Sequence, residues 1–123
     1  MNYFRYKPQL EILKSWNKNR DVFNTYGPTE TTVNALSYKL KGNEKYSVPI
    51  GKPVSNIQAY ILDQNNKLMG IGMPGELCIG GVGVTDGYLN KPDLTSEKFV
   101  DNPFTNGKMY RTGDLVKWHS DGN

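Results

Sequence analysis

Gly75-Glu76-Leu77-Cys78-Ile79-Gly80-Gly81-Val82-Gly83-Val84-Thr85-Asp86-Gly87-Tyr88-Leu89-Asn90-Lys91-Pro92 admits two readings, each with its own fold. Gly81-x-Gly83 opens like a dinucleotide-binding fingerprint, which would call for a parallel α/β sheet. That fingerprint needs a third glycine followed by a long helix. Residue 86 is aspartate, and Tyr88-Leu89-Asn90-Lys91-Pro92 cannot open such a helix. The stretch is therefore read as a short buried strand, Glu76–Ile79, running into a glycine-rich bend at a barrel corner. Cys78 in that apolar strand is an inert core thiol.

The flanking sequence agrees with a β reading. Val22–Tyr26 and Leu115–His119 read as strands, Val33–Leu40 alternates loosely, and Ile57–Asp63 is rich in β-branched and aromatic residues. Turn-forming clusters separate them, drawn from 13 glycines and 7 prolines. This spacing predicts a mainly β chain with some α, a barrel or sandwich rather than βαβ units. Helix is expected at Pro8–Lys18, where Pro8 suits the first helical position and Leu10, Leu13 and Trp16 share a face beside Ile12. One helical turn is expected over Thr95–Val100, with Thr95 as its cap. Asp121-Gly122 is a hairpin signal without a return strand before Asn123. A hairpin cut in this way would expose a strand edge, so a piece of a longer protein, prone to self-association, is expected.

Composition narrows the function. At 123 residues, 37% hydrophobic and 22% charged, the chain can bury a core and lacks any apolar run long enough for a membrane helix. One cysteine excludes an internal disulfide, and a single histidine excludes a His/Cys metal cage. A cytoplasmic setting is the default. The net charge of +3 is spread among interleaved signs, without the basic stripe of a nucleic-acid reader. His119-Ser120-Asp121 has triad residue types, but consecutive neighbours in a turn cannot form a spatial triad.

Two further segments could carry chemistry. In Asn24-Thr25-Tyr26-Gly27-Pro28-Thr29-Glu30-Thr31-Thr32, the Tyr26 ring offers a face for a base. Gly27 permits close backbone approach, Thr29 can donate to a phosphate oxygen, and Glu30 is a hard ligand for magnesium. An ordinary turn with a capping threonine serves equally well on chemistry alone. In Tyr110-Arg111-Thr112-Gly113-Asp114-Leu115, Asp114 can accept both hydroxyls of a ribose, or simply bond its own turn backbone.

Tyr-Gly-Pro-Thr-Glu, Gly-Glu-Leu-Cys-Ile-Gly-Gly and Tyr-Arg-Thr-Gly-Asp-Leu, in this order, resemble successive core motifs of adenylate-forming enzymes. The match is nearest to adenylation domains of nonribosomal peptide synthetases, and it runs from about Pro8 to Asn123. Pro49-Ile50-Gly51-Lys52-Pro53, Tyr60-Ile61-Leu62-Asp63 and Gly87-Tyr88-Leu89-Asn90-Lys91-Pro92 agree with it.

The resemblance implies a carboxylic-acid substrate, usually an amino acid, activated with ATP and Mg2+ to an acyl-adenylate. The acyl group then passes to phosphopantetheine on a peptidyl carrier domain. It assigns Asn24 to the adenine edge, Tyr26 and Gly27 to the nucleotide, and Asp114 to the ribose. Thr29 goes to the α-phosphate, Glu30 to magnesium, and Thr25, Val33 and Asn34 to the amino-acid pocket. It also implies a distorted β-barrel subdomain over residues 33–123, with residues 1–32 a helix and strand at the edge of a preceding α/β subdomain. The family's phosphate loop, hinge and catalytic lysine have no counterpart in the sequence, so this chain alone is expected to be inactive. Thr85-Asp86 stands where the family usually has Ala-Arg, and Met1–Lys7 does not match its usual lead. A D-alanine–carrier protein ligase, an acyl-CoA synthetase and a non-catalytic β-barrel module are the alternatives.

Overall fold

The computed structural model describes residues 10–123. Helix α1 spans Leu10–Trp16, shorter than the expected Pro8–Lys18, with Pro8 outside the described residues. None of its residues is buried, and Ile12 and Trp16 lie about half exposed. Strands β1 (Phe23–Tyr26), β2 (Leu36–Lys39) and β3 (Lys52–Pro53) form one antiparallel sheet in that order. A second sheet has the order β4-β5-β7-β6, from β4 (Ile57–Leu62), β5 (Gly75–Gly81), β6 (Phe99–Asp101) and β7 (Lys108–Val116). Helix α2, Pro92–Lys98, precedes β6.

The mainly β expectation holds, and the Gly75 stretch is a central antiparallel strand rather than the start of a dinucleotide fold. The described strands form two separate sheets, and no closed barrel is found among them. Boundaries differ for local reasons. The strand expected from Val33 starts only at Leu36, because Thr32 and Val33 sit at φ 62° and 67°, outside any extended conformation. Helix α2 begins at Pro92, whose fixed φ suits a first turn, so Thr95 lies inside the helix instead of capping it. The strand expected over Leu115–His119 is the end of the longer β7 and stops at Val116.

Strand alternation explains the packing. Ala59, Ile61, Leu77, Ile79 and Tyr110 share one face of the larger sheet, since Ala59 pairs with Ile79, Ile61 with Leu77, and Ile79 with Tyr110. Ile61, Leu77, Ile79 and Val116 meet Ala35 and Leu36 of the smaller sheet, forming the main core between the sheets. The opposite face buries Leu62, Cys78 and Met109 under Tyr60 and Val100. Burial pushes the Cys78 thiol up to about 12, in keeping with an inert core cysteine. No helix among the described residues is long and apolar enough to cross a membrane.

Gly51 shows how tightly the smaller sheet is drawn together. It sits at φ +91°, and a Cβ there would lie 2.0 Å from the Ser37 carbonyl oxygen. Gly72, at φ +80°, has nothing within 4 Å of that position. Gly72→Ala should therefore lose only the left-handed backbone cost of about 1–2 kcal/mol. Gly51→Ala should lose a further ~1–3 kcal/mol through overpacking, read as a larger fall in the urea midpoint. Equal falls for the two variants would refute the close approach.

Candidate nucleotide site

The loop joining β1 to β2 is built to hold one shape. Gly27 must be glycine, since a Cβ would meet the Val33 carbonyl carbon at 2.6 Å and the Ala35 nitrogen at 2.7 Å. A short 3-10 turn, Thr29–Thr31, follows Pro28. The Pro28 carbonyl accepts from the backbone N–H groups of Thr31 (3.0 Å) and Val33 (3.2 Å). Two successive β-branched residues at positive φ, Thr32 and Val33, cost of order 1–3 kcal/mol each unless their surroundings impose that shape. Here the surroundings do. Thr32 Oγ1 donates to the Gly83 carbonyl at 2.5 Å, and the Thr85 N–H donates to the Glu30 carbonyl at 3.0 Å.

Strand β7 supplies the opposite wall through a bulge. Glu76 pairs with Leu115 and Cys78 with Arg111, so Thr112, Gly113 and Asp114 together oppose Leu77. Gly113 takes φ +76°, which glycine adopts without strain. Thr112 Oγ1 donates to the Leu77 carbonyl at 2.8 Å and accepts from the Asp114 N–H at 3.0 Å. Glu76 Oε1 accepts from the Gly113 N–H at 3.0 Å, while Glu76 Oε2 accepts from Arg111 Nε at 3.1 Å. The Glu76 carboxylate holds the Arg111 guanidinium above its ordinary pKa.

Two of the sequence candidates, Tyr26 and Asp114, meet on this frame, and a third, Glu30, is held by Tyr88. The Tyr26 hydroxyl donates to Asp114 Oδ2, joining the two sheets across their seam. Glu30, in the loop that follows Tyr26, accepts from the Tyr88 hydroxyl at 2.6 Å. Tyr88 lies 3.3 Å, hydroxyl to hydroxyl, from Tyr110 of β7. The Tyr88 hydrogen bond holds the Glu30 carboxyl below the usual carboxylate range, against the opposing effect of burial. Burial first, then the Glu30 carboxylate, raises the Tyr88 phenol. Burial likewise raises Tyr110.

The remaining candidates are placed differently. Asn24 alternates onto the face of Tyr26, half-buried, and its Nδ2 donates to the Pro49 carbonyl at 2.7 Å. Thr25 falls on the other face of β1 and is exposed, as are Thr29 and Asn34. Val33 is 68% exposed. Sequence reasoning missed Tyr88 and Tyr110 as partners of Glu30, although both lie in stretches it singled out. It also missed Glu76 and Arg111, whose opposite charges on neighbouring inner strands were the available signal.

No group of three or more His, Cys, Asp or Glu suited to a metal occurs among the described residues. A magnesium ion needs no such cage, because it takes one or two carboxylates and completes its shell with phosphate oxygens and water. Glu30, a hard oxygen donor kept ionised, fits that requirement.

The sequence profile of the AMP-binding enzyme family matches residues 7–89. Tyrocidine synthase 3 of Brevibacillus parabrevis is 52% identical over 114 residues, 92% of this chain and 2% of that protein. Among solved structures, PA1221, an NRPS protein containing adenylation and PCP domains, superposes with TM-score 0.87 at 25% identity. That match covers 96% of this chain and 26% of PA1221. The N-terminal subdomain of Klebsiella oxytoca NpsA, solved in complex with 3-hydroxybenzoyl-AMSN, superposes with TM-score 0.77 at 31% identity. There the match covers 84% of this chain and 26% of NpsA.

The depressed Glu30 pKa makes a pH prediction. A carboxyl lowered on folding contributes stability that is complete above its ordinary value of 4.5 and fades as pH falls through the folded value. Tyr88→Phe removes the largest cause of that lowering. The stability gap between the parent chain and Tyr88→Phe should therefore be widest near neutrality and shrink below pH 4.5, measured by urea unfolding across pH. A gap independent of pH would contradict the Tyr88–Glu30 bond.

Proposed function

The chain belongs to the AMP-binding enzyme family, and on that premise we propose that it forms one wall of the ATP pocket in an adenylation domain of a nonribosomal peptide synthetase. The observation that carries this reading is the Tyr26–Asp114 contact, with Glu30 held by Tyr88 in the loop that follows Tyr26. In this reading Tyr26 offers a base-facing ring, Asp114 a sugar-facing carboxylate, and Glu30, just after Tyr26 in the chain, a metal-facing carboxylate. The chain spans 26% of the solved NRPS structures described above, so the activity belongs to a longer protein.

In this reading the Tyr26 ring stacks on adenine, worth about 1–3 kcal/mol per base. Asn24, with one amide N–H on Pro49, keeps a second N–H and its carbonyl oxygen for the base edge. Asp114 exchanges its Tyr26 partner, wholly or in part, for the ribose hydroxyls. The Thr29 hydroxyl donates to the α-phosphate, whose charge grows as the amino-acid carboxylate attacks. Glu30 would hold magnesium, which when bound neutralises phosphate charge that the carboxylate would otherwise repel. Thr25, Val33 and Asn34, turned away from the chain's own core, line the amino-acid pocket with residues supplied by the rest of the enzyme. The products are aminoacyl-AMP and pyrophosphate, and the aminoacyl group is handed to the phosphopantetheine thiol of a carrier domain in the cytoplasm.

The reading also extends to architecture. Strands β2 to β7 are parts of a distorted barrel formed by residues 33–123, and residues 1–32, with β1, belong to the edge of the neighbouring α/β subdomain. The β1–β2 ladder ties the two regions together.

ATP–pyrophosphate exchange by the full synthetase tests the assignment across amino acids, D-alanine and fatty acids. Amino-acid-dependent exchange is expected. Asp114→Ala should raise the KM for ATP by about 10- to 100-fold, the value of a charged hydrogen bond. It should also erase the preference for ATP over its 2′-deoxy and 3′-deoxy analogues. An Asp114→Ala enzyme that still discriminates against the deoxy analogues would refute the ribose role.

A further inference from the structure

We propose that Tyr88 is a positioning residue for the metal-binding carboxylate: its hydroxyl, presented by a rigid loop, fixes Glu30 in the orientation that receives the cation. This rests on the reading of Glu30 as the magnesium ligand.

The geometry of the loop supports a dedicated role. Gly87, at φ +135°, packs so closely on α2 that a Cβ would lie 2.3 Å from Thr95 Cγ2. Only glycine allows that approach. It brings the Tyr88 N–H to Thr95 Oγ1 at 2.9 Å, so the helix side chain anchors the tyrosine backbone. The Tyr88 ring is held edge-on by Phe99, with centroids 5.4 Å apart and planes at 74°. Phe99 in turn packs on Tyr110, centroids 5.1 Å apart. Backbone, ring and hydroxyl of Tyr88 are thus fixed by three different elements.

The hydrogen-bond direction follows from proton count. A phenol has one proton, and an ionised carboxylate can only accept. Tyr88 therefore gives its proton to Glu30 Oε1, and the 3.3 Å contact with Tyr110 runs from Tyr110 to Tyr88. Such a chain strengthens each bond in it. The Tyr88 bond takes one of about four lone-pair positions on the carboxylate, and with the lesser contributions of the Glu30 backbone N–H and the Tyr110 hydroxyl it still leaves capacity for a cation. Partners that orient a metal ligand in this way typically control about 10- to 100-fold in metal affinity.

The test uses the full synthetase with Mn2+ as probe, free Mn2+ being followed by electron paramagnetic resonance. The nucleotide is an ATP analogue with a methylene group between the α- and β-phosphorus. Tyr88→Phe should weaken Mn2+ binding by about tenfold while changing metal-free AMP affinity by less than about twofold, because AMP meets Tyr26 and Asp114. Thr95→Val, which unhooks the Tyr88 backbone without touching Glu30, should weaken Mn2+ in the same direction and carries the test should Tyr88→Phe not fold. Unchanged Mn2+ affinity in these variants, with Glu30→Gln impaired, overturns the positioning role and leaves Glu30 as the ligand. Unchanged Mn2+ affinity in Glu30→Gln overturns the ligand reading and the positioning role together. Equal losses of AMP and Mn2+ affinity in Tyr88→Phe would make Tyr88 a general structural residue and also overturn the proposal.

Discussion

The bulge in β7 is the constraint from which the site follows. Three residues stand where a regular strand would have one, so the strand kinks locally and pairing resumes on either side. Beyond the bulge Val116 packs on the core between the sheets, while Asp114 within it reaches Tyr26 on the other sheet. The lost ladder pairings are recovered by Thr112 and Glu76, which bond the backbone of Leu77, Gly113 and Asp114. The Glu76–Arg111 pair is only partly exposed on either side, so solvent screens it less than a surface pair.

The seam between the sheets is consequently apolar below and polar above. Ala35, Leu36, Leu77 and Ile79 provide burial, and Tyr26, packed against them, carries the hydrogen bond to Asp114, while Tyr88 bonds Glu30. No buried side-chain nitrogen or oxygen among the described residues lacks a partner. That matters for function, because a nucleotide must replace existing bonds with equivalent ones instead of filling an unsatisfied hole. The strain held at Thr32 and Val33 has the same logic: an unfavourable backbone persists where neighbouring bonds over-determine it, as at ligand-binding loops.

Much of this was legible in the sequence. Asp86 and Pro92 ruled out a dinucleotide fold, the strand at Ile57 lies in a stretch rich in β-branched and aromatic residues, and β5 covers the short buried strand expected at Glu76–Ile79. Tyr26, Glu30 and Asp114 stood out because each combines a side chain of definite chemistry with an adjacent glycine or proline turn. What was not legible depended on tertiary contact. Val33 has high strand propensity, yet pairing of Ala35 with Tyr26 and docking of Thr32 on Gly83 put it in a left-handed turn. Tyr88 and Glu30 are 58 residues apart, and nothing local to either announces the bond between them. The β7 bulge was hidden because Thr-Gly-Asp reads equally well as a turn. How the strands divide between two sheets could not be foreseen from strand spacing, which is the same for barrels and sandwiches.

A structure of the full synthetase with an ATP analogue and Mg2+ tests the central claim most directly. The account predicts adenine stacked on the Tyr26 ring, ribose hydroxyls within hydrogen-bond reach of the Asp114 carboxylate, and the cation on Glu30. A nucleotide bound elsewhere, with the Tyr26–Asp114 hydrogen bond unchanged, would contradict it.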